Sequence, residues 1–329
     1  MHEATTELAG LADLVTPLAL RAAVTLGLPA AIGSRSVALG ALADELAVDP
    51  PALRRLVGFL AARGVVAVDP AGTVRLTAIG APLAAAGSDW STRLDWTGAG
   101  GYLDRRFADG MLAVLRTGRR PGDPWAEIAA DPALATSFDL LMTTRAAEWV
   151  PAVAGLDVWA GARRVVDVGG GRGHLLAALL TRWPDLRGVL VERPRPAAAA
   201  ADTLGPELAR RVDVVVGDFR EALPPGGDRY VLAHVLHDWD DDTAATVLRR
   251  AADAATAPGA RVLVVERLLD GPPGHRREVT HQDLRMLVLF GGHERTHAEF
   301  TALAATAGLR VCAALPTSSS RHVLVLQSC

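Results

Sequence analysis

The 329-residue sequence contains only two cysteines, Cys312 and Cys329. Two cysteines cannot form the disulfide framework of a small secreted domain, nor a cysteine-rich metal site. The formal net charge of −3 gives no electrostatic reason to expect nucleic acid as a partner. No apolar run extends for about 18 residues without interruption, and the amino terminus lacks the basic residues of a secretion signal. These absences predict a cytoplasmic protein with no nucleic-acid partner and no membrane partner.

Apolar residues, in contrast, are plentiful. Half of the residues are hydrophobic and 22% are charged, a balance that is typical of a globular protein. A chain of this length forms one large domain or two domains of ordinary size. The local patterns change twice, and we therefore predict three segments with the ranges 1–90, 91–160 and 161–329.

Segment 1–90 has the pattern of a winged helix. Leu8–Leu26 is apolar at helical spacing, and two further helices follow within residues 41–69. Short strands at Val65–Val68 and Thr73–Leu76 predict the wing. Such folds often bind DNA, but the second helix offers no Asn or Gln to read bases. Its candidate DNA contacts are all arginines: Arg54, Arg55 and Arg63. The sequence therefore favours a dimerisation or scaffold role for this segment.

Residues 91–160 predict a further series of helices rich in aromatic side chains, without an intervening strand. From Arg163 onward, strands and helices alternate, which predicts an α/β fold: a parallel sheet with helices on both faces. The predicted strands are Arg164–Val168, Gly188–Glu192, Val212–Gly217, Arg229–Ala233, Arg261–Glu266, Leu309–Leu315 and His322–Leu326. The predicted helices are Gly173–Trp183, Pro196–Leu204, Asp241–Ala257 and His297–Ala307.

The stretch VVDVGGGRGHLLAALL, residues 165–180, joins the first predicted strand to a helix. Glycines such as Gly169 and Gly171 let a ligand approach the backbone near a helix N-terminus. The spacing differs from a dinucleotide fingerprint, because His174 occupies the position that needs a small residue. Asp167 precedes the glycines and would repel a pyrophosphate. The motif therefore favours a cofactor that carries positive charge, such as S-adenosylmethionine.

Acidic residues also end the next two predicted strands. Glu192 is placed to accept hydrogen bonds from both ribose hydroxyls of a nucleoside. Asp218 is placed to accept one from the adenine amino group, and Phe219 can stack on the adenine ring. Because the carboxyl ends of neighbouring parallel strands meet at one edge, these acids and Asp167 are expected to line one crevice.

The chain resembles the small-molecule O-methyltransferases of the plant caffeate type and their bacterial natural-product relatives. The motifs that carry the resemblance are VVDVGGGRG, LVERP, VVVGDF, VLHDWDDD, VVERLL and DLRMLVLFGGHERTHAEF, in family order. The resemblance covers nearly the whole chain. It implies a class I methyltransferase Rossmann-like domain behind a helical, winged-helix dimerisation domain. It also implies that the active form is a homodimer.

The resemblance implies roles for the residues of HDW, for Glu266 and for the glutamate of GGHERT. His237 matches the general base, and an imidazole suits removal of a proton from a phenol, whose own pKa is about 10. Glu266 and Glu294 match the two acids that orient this base. Asp238 and Trp239 are expected to form part of the cofactor pocket wall. One departure is Ala233, where many relatives carry a lysine near the adenosine.

The predicted substrate pocket is lined by apolar and aromatic side chains: Phe138, Met142, Met286 and Phe290, with contributions from Trp96, Tyr102 and Phe107. Arg145 is expected to meet either an acidic group of the substrate or an exposed carboxylate of the protein. The sequence does not identify the substrate or the position that is methylated.

Three alternatives remain open from the sequence. Some members of the family bind S-adenosylmethionine but assist hydroxylation or decarboxylation instead, and loss of His237 would be the sign of such a change. A metal-dependent C-methyltransferase would need a ligand set such as His237, Asp238 and His293; we expect no metal. The third alternative, a DNA-binding regulator, is disfavoured by the absence of a basic stripe.

Overall fold

The structure is a computed structural model that describes residues 2–85 and 88–329. Its internal contacts divide the chain into two compact units. The first unit contains Met1–Arg105 and Asp131–Thr144, and the second contains Arg106–Ala130 and Arg145–Cys329. These units divide the chain at other positions than residues 90 and 160, so the three-segment organisation stays a prediction.

The amino-terminal half contains α1 (His2–Leu11), α2 (Val15–Thr25), α3 (Leu28–Ile32), β1 (Val37–Ala38), α4 (Leu39–Glu45), α5 (Pro50–Ala62), β2 (Val66–Val68), β3 (Thr73–Leu76), α6 (Trp90–Leu94), α7 (Ala99–Thr117), α8 (Pro124–Ala130) and α9 (Pro132–Ala154). The carboxyl-terminal half contains β4 (Arg164–Val168), α10 (His174–Arg182), β5 (Arg187–Glu192), α11 (Pro194–Ala209), β6 (Val212–Val216), β7 (Arg229–Ala233), α12 (Asp241–Ala254), β8 (Arg261–Glu266), α13 (Arg276–Leu289), α14 (His297–Thr306), β9 (Leu309–Pro316) and β10 (His322–Ser328).

The predicted helix pair and wing are present in the first unit as α4, α5, β2 and β3. A third strand, β1, pairs with β3 and was not predicted. Asp49 begins α5, since its side chain accepts a hydrogen bond from the Ala52 N–H at 2.8 Å, and prolines occupy the first turn. The apolar face of α5 packs through Leu53, Val57 and Leu60 into the core of this unit.

The segment Glu7–Thr25 is long and apolar enough to cross a membrane, with a mean hydropathy of 1.4, and no other segment in the described ranges qualifies. It meets that test by length and composition alone. The structure divides it into α1 and α2, because Asp13 accepts hydrogen bonds from the N–H groups of Val15 and Thr16 in the turn between them. Only 6% of the segment is buried.

The second unit is built on a seven-stranded sheet with the order β6-β5-β4-β7-β8-β10-β9. The neighbours from β6 to β8 pair in parallel, but β10 is antiparallel to both β8 and β9. The prediction of an entirely parallel sheet was therefore wrong at this edge. The short connection of residues 317–321 is the physical reason for the antiparallel pairing of β9 and β10, since parallel strands need a crossover of about a dozen residues or more. The placement of β10 between β8 and β9 then makes its pairing with β8 antiparallel as well.

Apolar side chains cover both faces of this sheet, as the strand–helix alternation predicted. Neighbouring residues of β4 point to opposite sides: Val165 packs on the side of α10, and Val166 packs on the side of α12 and α14. Parallel strands that are buried on both faces are continuous runs of Val, Ile and Leu. Because β4, β5, β7 and β8 run in the same direction, the polar residues at their carboxyl ends meet along one edge.

Candidate active site

The turn after β4 holds a buried acid with no hydrogen-bond partner in the described part of the chain. Asp167 is 1% exposed, and neither of its carboxylate oxygens is hydrogen-bonded. Burial, with a contribution from the nearby charge of Glu192, raises the pKa of Asp167 to about 7. Gly170 makes room for this carboxyl group, because a Cβ there would come within 2.4 Å of it. An unpaired buried acid is costly, so this site fits a ligand that brings positive charge or hydrogen-bond donors.

The glycine turn and β5 are joined by Glu192, which is 7% exposed. One carboxylate oxygen of Glu192 accepts a hydrogen bond from the Gly171 N–H at 2.9 Å, and the other accepts one from the Arg193 N–H at 2.7 Å. Gly169 and Gly171 both have positive φ, +68° and +59°, which is costly for other residues. The predicted cofactor residues Asp167, Gly169, Gly171 and Glu192 are therefore brought together at one edge of the sheet.

Asp218 and Phe219 follow β6, as predicted, but the Asp218 carboxylate is held by a neighbour that the sequence analysis missed. Asp218 accepts hydrogen bonds from the Arg220 N–H and from the guanidinium Nε, both at 2.9 Å. The hydrogen bonds and charge of Arg220 lower the pKa of Asp218. Phe219 meets Trp239 edge-on with the ring centroids 6.3 Å apart, and the Arg220 guanidinium lies over the same Trp239 ring at 4.9 Å.

Replacing Glu192 by alanine is expected to weaken binding of S-adenosylhomocysteine by about 1.5–3 kcal/mol, because a charged hydrogen-bond acceptor for the ribose is lost. Titration calorimetry measures the change. Asp218→Ala is expected to weaken this binding less, because the adenine amino group is a neutral donor and the Asp218 carboxylate already accepts hydrogen bonds from Arg220. Asp213→Ala is the matched control, since this acid of β6 pairs with Arg164 away from the predicted ribose acceptor. Unchanged affinity in folded Glu192→Ala protein would contradict the assignment.

His237 lies in a short turn, Leu236–Asp238, separated from the end of β7 by two residues, and is 7% exposed. Its Nδ1 is 3.0 Å from a carboxylate oxygen of Glu294 and 3.3 Å from one of Glu266. Two carboxylates at Nδ1 favour a proton on that nitrogen, which leaves Nε2 to accept a proton from a substrate. The structure thus brings together the three predicted catalytic residues.

Glu266 holds the turn as well as the ring. Its other oxygen accepts hydrogen bonds from the main-chain N–H groups of Val235, Leu236 and His237 at 3.1, 3.0 and 3.3 Å. Glu294 is itself fixed in position, because its main-chain N–H donates a hydrogen bond to the Asp283 carboxylate at 2.9 Å. The ring of His237 therefore has a fixed orientation.

Electrostatics strengthen His237 as a base. Burial alone lowers the pKa of His237, but the charges of Glu266, Glu294 and Asp238 outweigh burial and raise the pKa to about 10. This pKa matches that of a phenol, about 10, so a proton can pass between the two at little cost. Burial raises the pKa of Glu266 to about 7 and that of Asp238 to about 6, against the attraction of the imidazolium.

Asp238 and Trp239, predicted as part of the cofactor wall, are in the same turn. The Asp238 carboxylate is 3.6 Å from Nε2 of His237, so Asp238 also contacts the predicted base. Trp239 is half-buried between Phe219 and Arg220. Their contact with a cofactor stays a prediction.

Two residues that hold this turn, Gly292 and Arg295, were missed by the sequence analysis. Arg295 is fully buried, and its guanidinium donates to the main-chain carbonyls of Leu236 and Trp239, each at 2.9 Å, and to the Asp241 carboxylate. A Cβ at Gly292 would come within 2.0 Å of the His237 carbonyl oxygen, so only glycine allows this approach. Both residues belong to the GGHERT motif, which was the available signal.

The four predicted substrate residues divide between the two compact units. Met286 is buried in α13, and Phe290, which follows α13, packs against Trp125 with the centroids 4.9 Å apart. Phe138 and Met142 lie in the part of α9 that belongs to the first unit. A substrate contact for each of these four residues stays a prediction.

The ligand set proposed for a metal-dependent alternative is not assembled. His293 lies 3.4 Å from the Asp241 carboxylate. Within the described ranges, the group of three that could hold a metal consists instead of His234, His237 and Glu266. In that group Nδ1 of His237 already faces two carboxylates as a hydrogen-bond donor, so we assign the group to proton chemistry. The absence of a metal stays a prediction.

Comparisons with known proteins agree with this geometry. The sequence profile described as the O-methyltransferase domain matches residues 117–310. The 2,7-dihydroxy-5-methyl-1-naphthoate 7-O-methyltransferase of Streptomyces carzinostaticus is 41% identical over 94% of this chain and 94% of its own length. Aclacinomycin 10-hydroxylase of Streptomyces purpurascens is 40% identical over 95% of this chain and 86% of its own.

A solved structure of an O-methyltransferase from neocarzinostatin biosynthesis, in complex with S-adenosylmethionine and 2-hydroxy-5-methyl naphthoic acid, is also similar. It has a TM-score of 0.87 and 38% identity, and the alignment covers 97% of this chain and 98% of that one. The class I methyltransferase fold that the sequence predicted is thereby confirmed. The chain belongs to the O-methyltransferase domain family, and its cofactor is S-adenosylmethionine.

Proposed function

We propose that this enzyme methylates a hydroxyl group, most simply a phenolic one, of an aromatic natural product such as a polyketide, with His237 as the general base. The observation that carries the proposal is the contact of Nδ1 of His237 with Glu294 and Glu266. This contact directs the basic Nε2 away from both acids. The similarity to enzymes whose names specify naphthoate and naphthoic acid supports an aromatic ring with a hydroxyl group as the substrate.

The chemistry divides between the cofactor and the chain. S-adenosylmethionine, when bound, supplies an electrophilic methyl group on a sulfonium. Asp167, the glycine turn and Glu192 would hold it, because they offer an unpaired acid, open backbone and a carboxylate at one edge of the sheet. His237 would take the proton of the substrate hydroxyl at Nε2, and the charge that the ring gains is stabilised by Glu266 and Glu294. Alignment of the reacting atoms supplies much of the remaining rate.

The experiment supplies the enzyme with methyl-labelled S-adenosylmethionine and a panel of hydroxynaphthoic acids, each paired with its O-methylated analogue as a control. Labelled methyl is expected in the product of a free hydroxyl and absent with the blocked analogue. Label in the blocked analogue would indicate transfer to carbon or to the carboxylate, and alkaline hydrolysis, which removes the methyl group only from an ester, distinguishes the two. Activity is also expected to survive EDTA, and its loss would favour the metal-dependent alternative.

A non-methylating activity deserves a test of its own, because aclacinomycin 10-hydroxylase is 40% identical to this chain. His237 argues against that activity, since a general base has no evident use where no hydroxyl is methylated. Mass spectrometry distinguishes the two reactions. A methylated product gains one carbon and two hydrogens, whereas a hydroxylated product gains one oxygen.

We infer that the enzyme is a homodimer and that a second copy of the chain covers the apolar face of α1 and α2. α1 contributes Leu8 and Leu11, and α2 contributes Val15 and Leu18, each pair three residues apart on its helix; each of the four is between 41% and 80% exposed. Exposed apolar patches of this kind mark contact surfaces. A cytoplasmic location, without nucleic-acid or membrane partners, remains a prediction.

Replacing Leu11 by aspartate is therefore expected to shift the full-length protein from dimer towards monomer at micromolar concentration, because a buried charge at the interface is costly. Sedimentation velocity measures the shift. Leu140→Asp is the control, since this leucine is exposed on α9 and is not part of the proposed face. A wild-type monomer would contradict the inference, as would co-flotation of the protein with anionic lipid vesicles in place of self-association.

A further inference from the structure

A second histidine, His234, lies beside the predicted base. The ring centroids of His234 and His237 are 5.4 Å apart, and the rings of Trp149 and His234 pack in a T-shaped arrangement with their centroids 5.1 Å apart. The main chain of His234 has a φ of +55° and is held there by its N–H, which donates to the Val265 carbonyl at 3.0 Å. Such strain costs about 1–3 kcal/mol and concentrates at functional sites. The ring of His234 is therefore expected to have a function.

The two ring nitrogens of His234 face groups of opposite character. Nε2 lies 3.4 Å from Nε of Arg321, and Nδ1 lies 3.7 Å from a carboxylate oxygen of Glu266. A guanidinium can only donate hydrogen bonds, so Nε2 must carry the lone pair. The proton of a neutral ring is then on Nδ1 and points toward Glu266. Arg321 thus selects one tautomer of His234.

Positive charges surround this ring from several elements. Burial lowers the pKa of His234 well below its ordinary value, and the charges of His237, Arg321, Arg267 and Arg145 lower it further. These groups belong to the turn after β7, the segment before β10, the segment after β8, and α9. His234 therefore stays neutral while the neighbouring ring of His237 carries the positive charge.

The negative groups of the same cluster each face an imidazole or a guanidinium. Oε2 of Glu266 lies 3.7 Å from Nδ1 of His234 and 3.3 Å from Nδ1 of His237, without a hydrogen bond to either ring. Glu148 of α9 lies 3.7 Å from the Arg321 guanidinium, and Glu278 of α13 accepts from the Arg267 guanidinium at 2.9 Å. Arg321 is 6% exposed and also donates to the Ser319 carbonyl at 2.7 Å, which fixes its orientation.

We propose that Arg321 is a positioning residue that acts through His234: it holds the proton of the neutral His234 ring on Nδ1, facing Glu266, and so sets how strongly Glu266 attracts the proton of His237. Nothing in the proposed reaction requires Arg321 to touch the substrate or the cofactor. The proposal rests on His237 as the base, but its first test does not depend on activity.

The first test measures the tautomer of His234 in the ligand-free, full-length enzyme by ¹⁵N NMR, with the signal assigned from its loss in the His234→Asn protein. Asparagine tolerates a positive φ and does not titrate. The expected wild-type signal is that of a neutral ring with the proton on Nδ1 at neutral pH. A proton on Nε2, or a charged ring, would overturn the proposal even if no substrate were known.

The second test follows the pH dependence of kcat/KM in Arg321→Met. Without the guanidinium, the neutral ring of His234 can carry its proton on Nε2 and turn the Nδ1 lone pair toward Glu266, so the negative potential at His237 grows and His237 becomes more basic. The rising limb of the profile is expected to move to higher pH by roughly half a unit to one unit, below the shift typical of a nearby full charge. A limb that stays in place or moves to lower pH would contradict the proposal. The direct loss of a positive charge also moves the limb to higher pH, and the double-mutant cycle separates the two effects.

A double-mutant cycle separates action through His234 from a general structural effect. In the His234→Asn background, Arg321→Met is expected to move the pH limb less, since no second imidazole remains to change its tautomer. Arg321→Lys is expected to preserve the wild-type limb, because it keeps a charged donor. Arg310→Met is the control, as this exposed arginine of β9 pairs with Gln327. An equal shift with and without His234 would refute the proposal.

Discussion

Replacing His237 by alanine is expected to lower kcat by about 10²–10⁴-fold on the true substrate at neutral pH, the range for loss of a general base. Binding of S-adenosylhomocysteine is expected to persist, since Asp167 and Glu192 are untouched. Some activity remains because the reactants are still held in line. The lost rate is expected to return in part at high pH, where a phenol ionises without help. Steady-state kinetics and calorimetry provide both measurements.

The wild-type pH dependence follows from the same residue. The two acids raise the pKa of His237 to about 10, so the free enzyme holds mainly imidazolium at neutral pH. The fraction with a free Nε2 grows as the pH rises, and kcat/KM is therefore expected to increase from pH 6 to pH 9 and to fall towards acid pH. This limb should be absent in His237→Ala. Wild-type turnover in His237→Ala would show that the base is elsewhere or that no hydroxyl is methylated.

Single replacements of Glu266 and Glu294 test their role as partners of the base. Each acid stabilises the charged ring but takes no proton from the substrate. Glu266→Gln and Glu294→Gln are therefore each expected to lower kcat less than His237→Ala does. Each is also expected to lower the pKa of His237, because one negative charge is removed from Nδ1. The rising limb of kcat/KM should then move to lower pH.

Replacing Arg295 by methionine is expected to lower the free energy of unfolding by about 3–6 kcal/mol. Two buried carbonyls, of Leu236 and Trp239, lose charged donors, and such hydrogen bonds contribute about 1.5–3 kcal/mol each. Turnover is expected to fall as well, because the turn that carries His237 is no longer held. Chemical denaturation and kinetics below the unfolding transition measure the two effects separately.

Arg295→Lys is expected to rescue little of this loss, because an ammonium cannot reproduce the fork of donors that a planar guanidinium offers. Arg249→Met is the matched control, since this arginine is exposed on α12 and bonds only to Thr246 among the contacts described. If Arg295→Met were as stable as the control, the buried guanidinium would not be what fixes the turn.

Local patterns were sufficient for the elements that present the cofactor edge. β4, β7 and β8 have the predicted bounds, because each is a short, largely apolar run that is followed by a glycine or a polar residue. The acids at the strand ends followed from the same reasoning, since parallel strands expose their carboxyl ends together. α13 was not predicted; its sequence, RREVTHQDLRMLVL, lacks a clear apolar stripe.

The sequence by itself determined the strand–helix alternation, the glycine turn with Asp167, and, through a resemblance, the identity of His237, Glu266 and Glu294. Only the tertiary structure decided how these residues meet. Glu294 reaches His237 across 57 positions, and Arg321 reaches His234 across 87. Hydrogen bonds between residues so distant leave no trace in a local periodicity of 2 or 3.6. The insertion of β10 beside β8, which brings Arg321 to the site, was likewise decided by the pairing of the sheet.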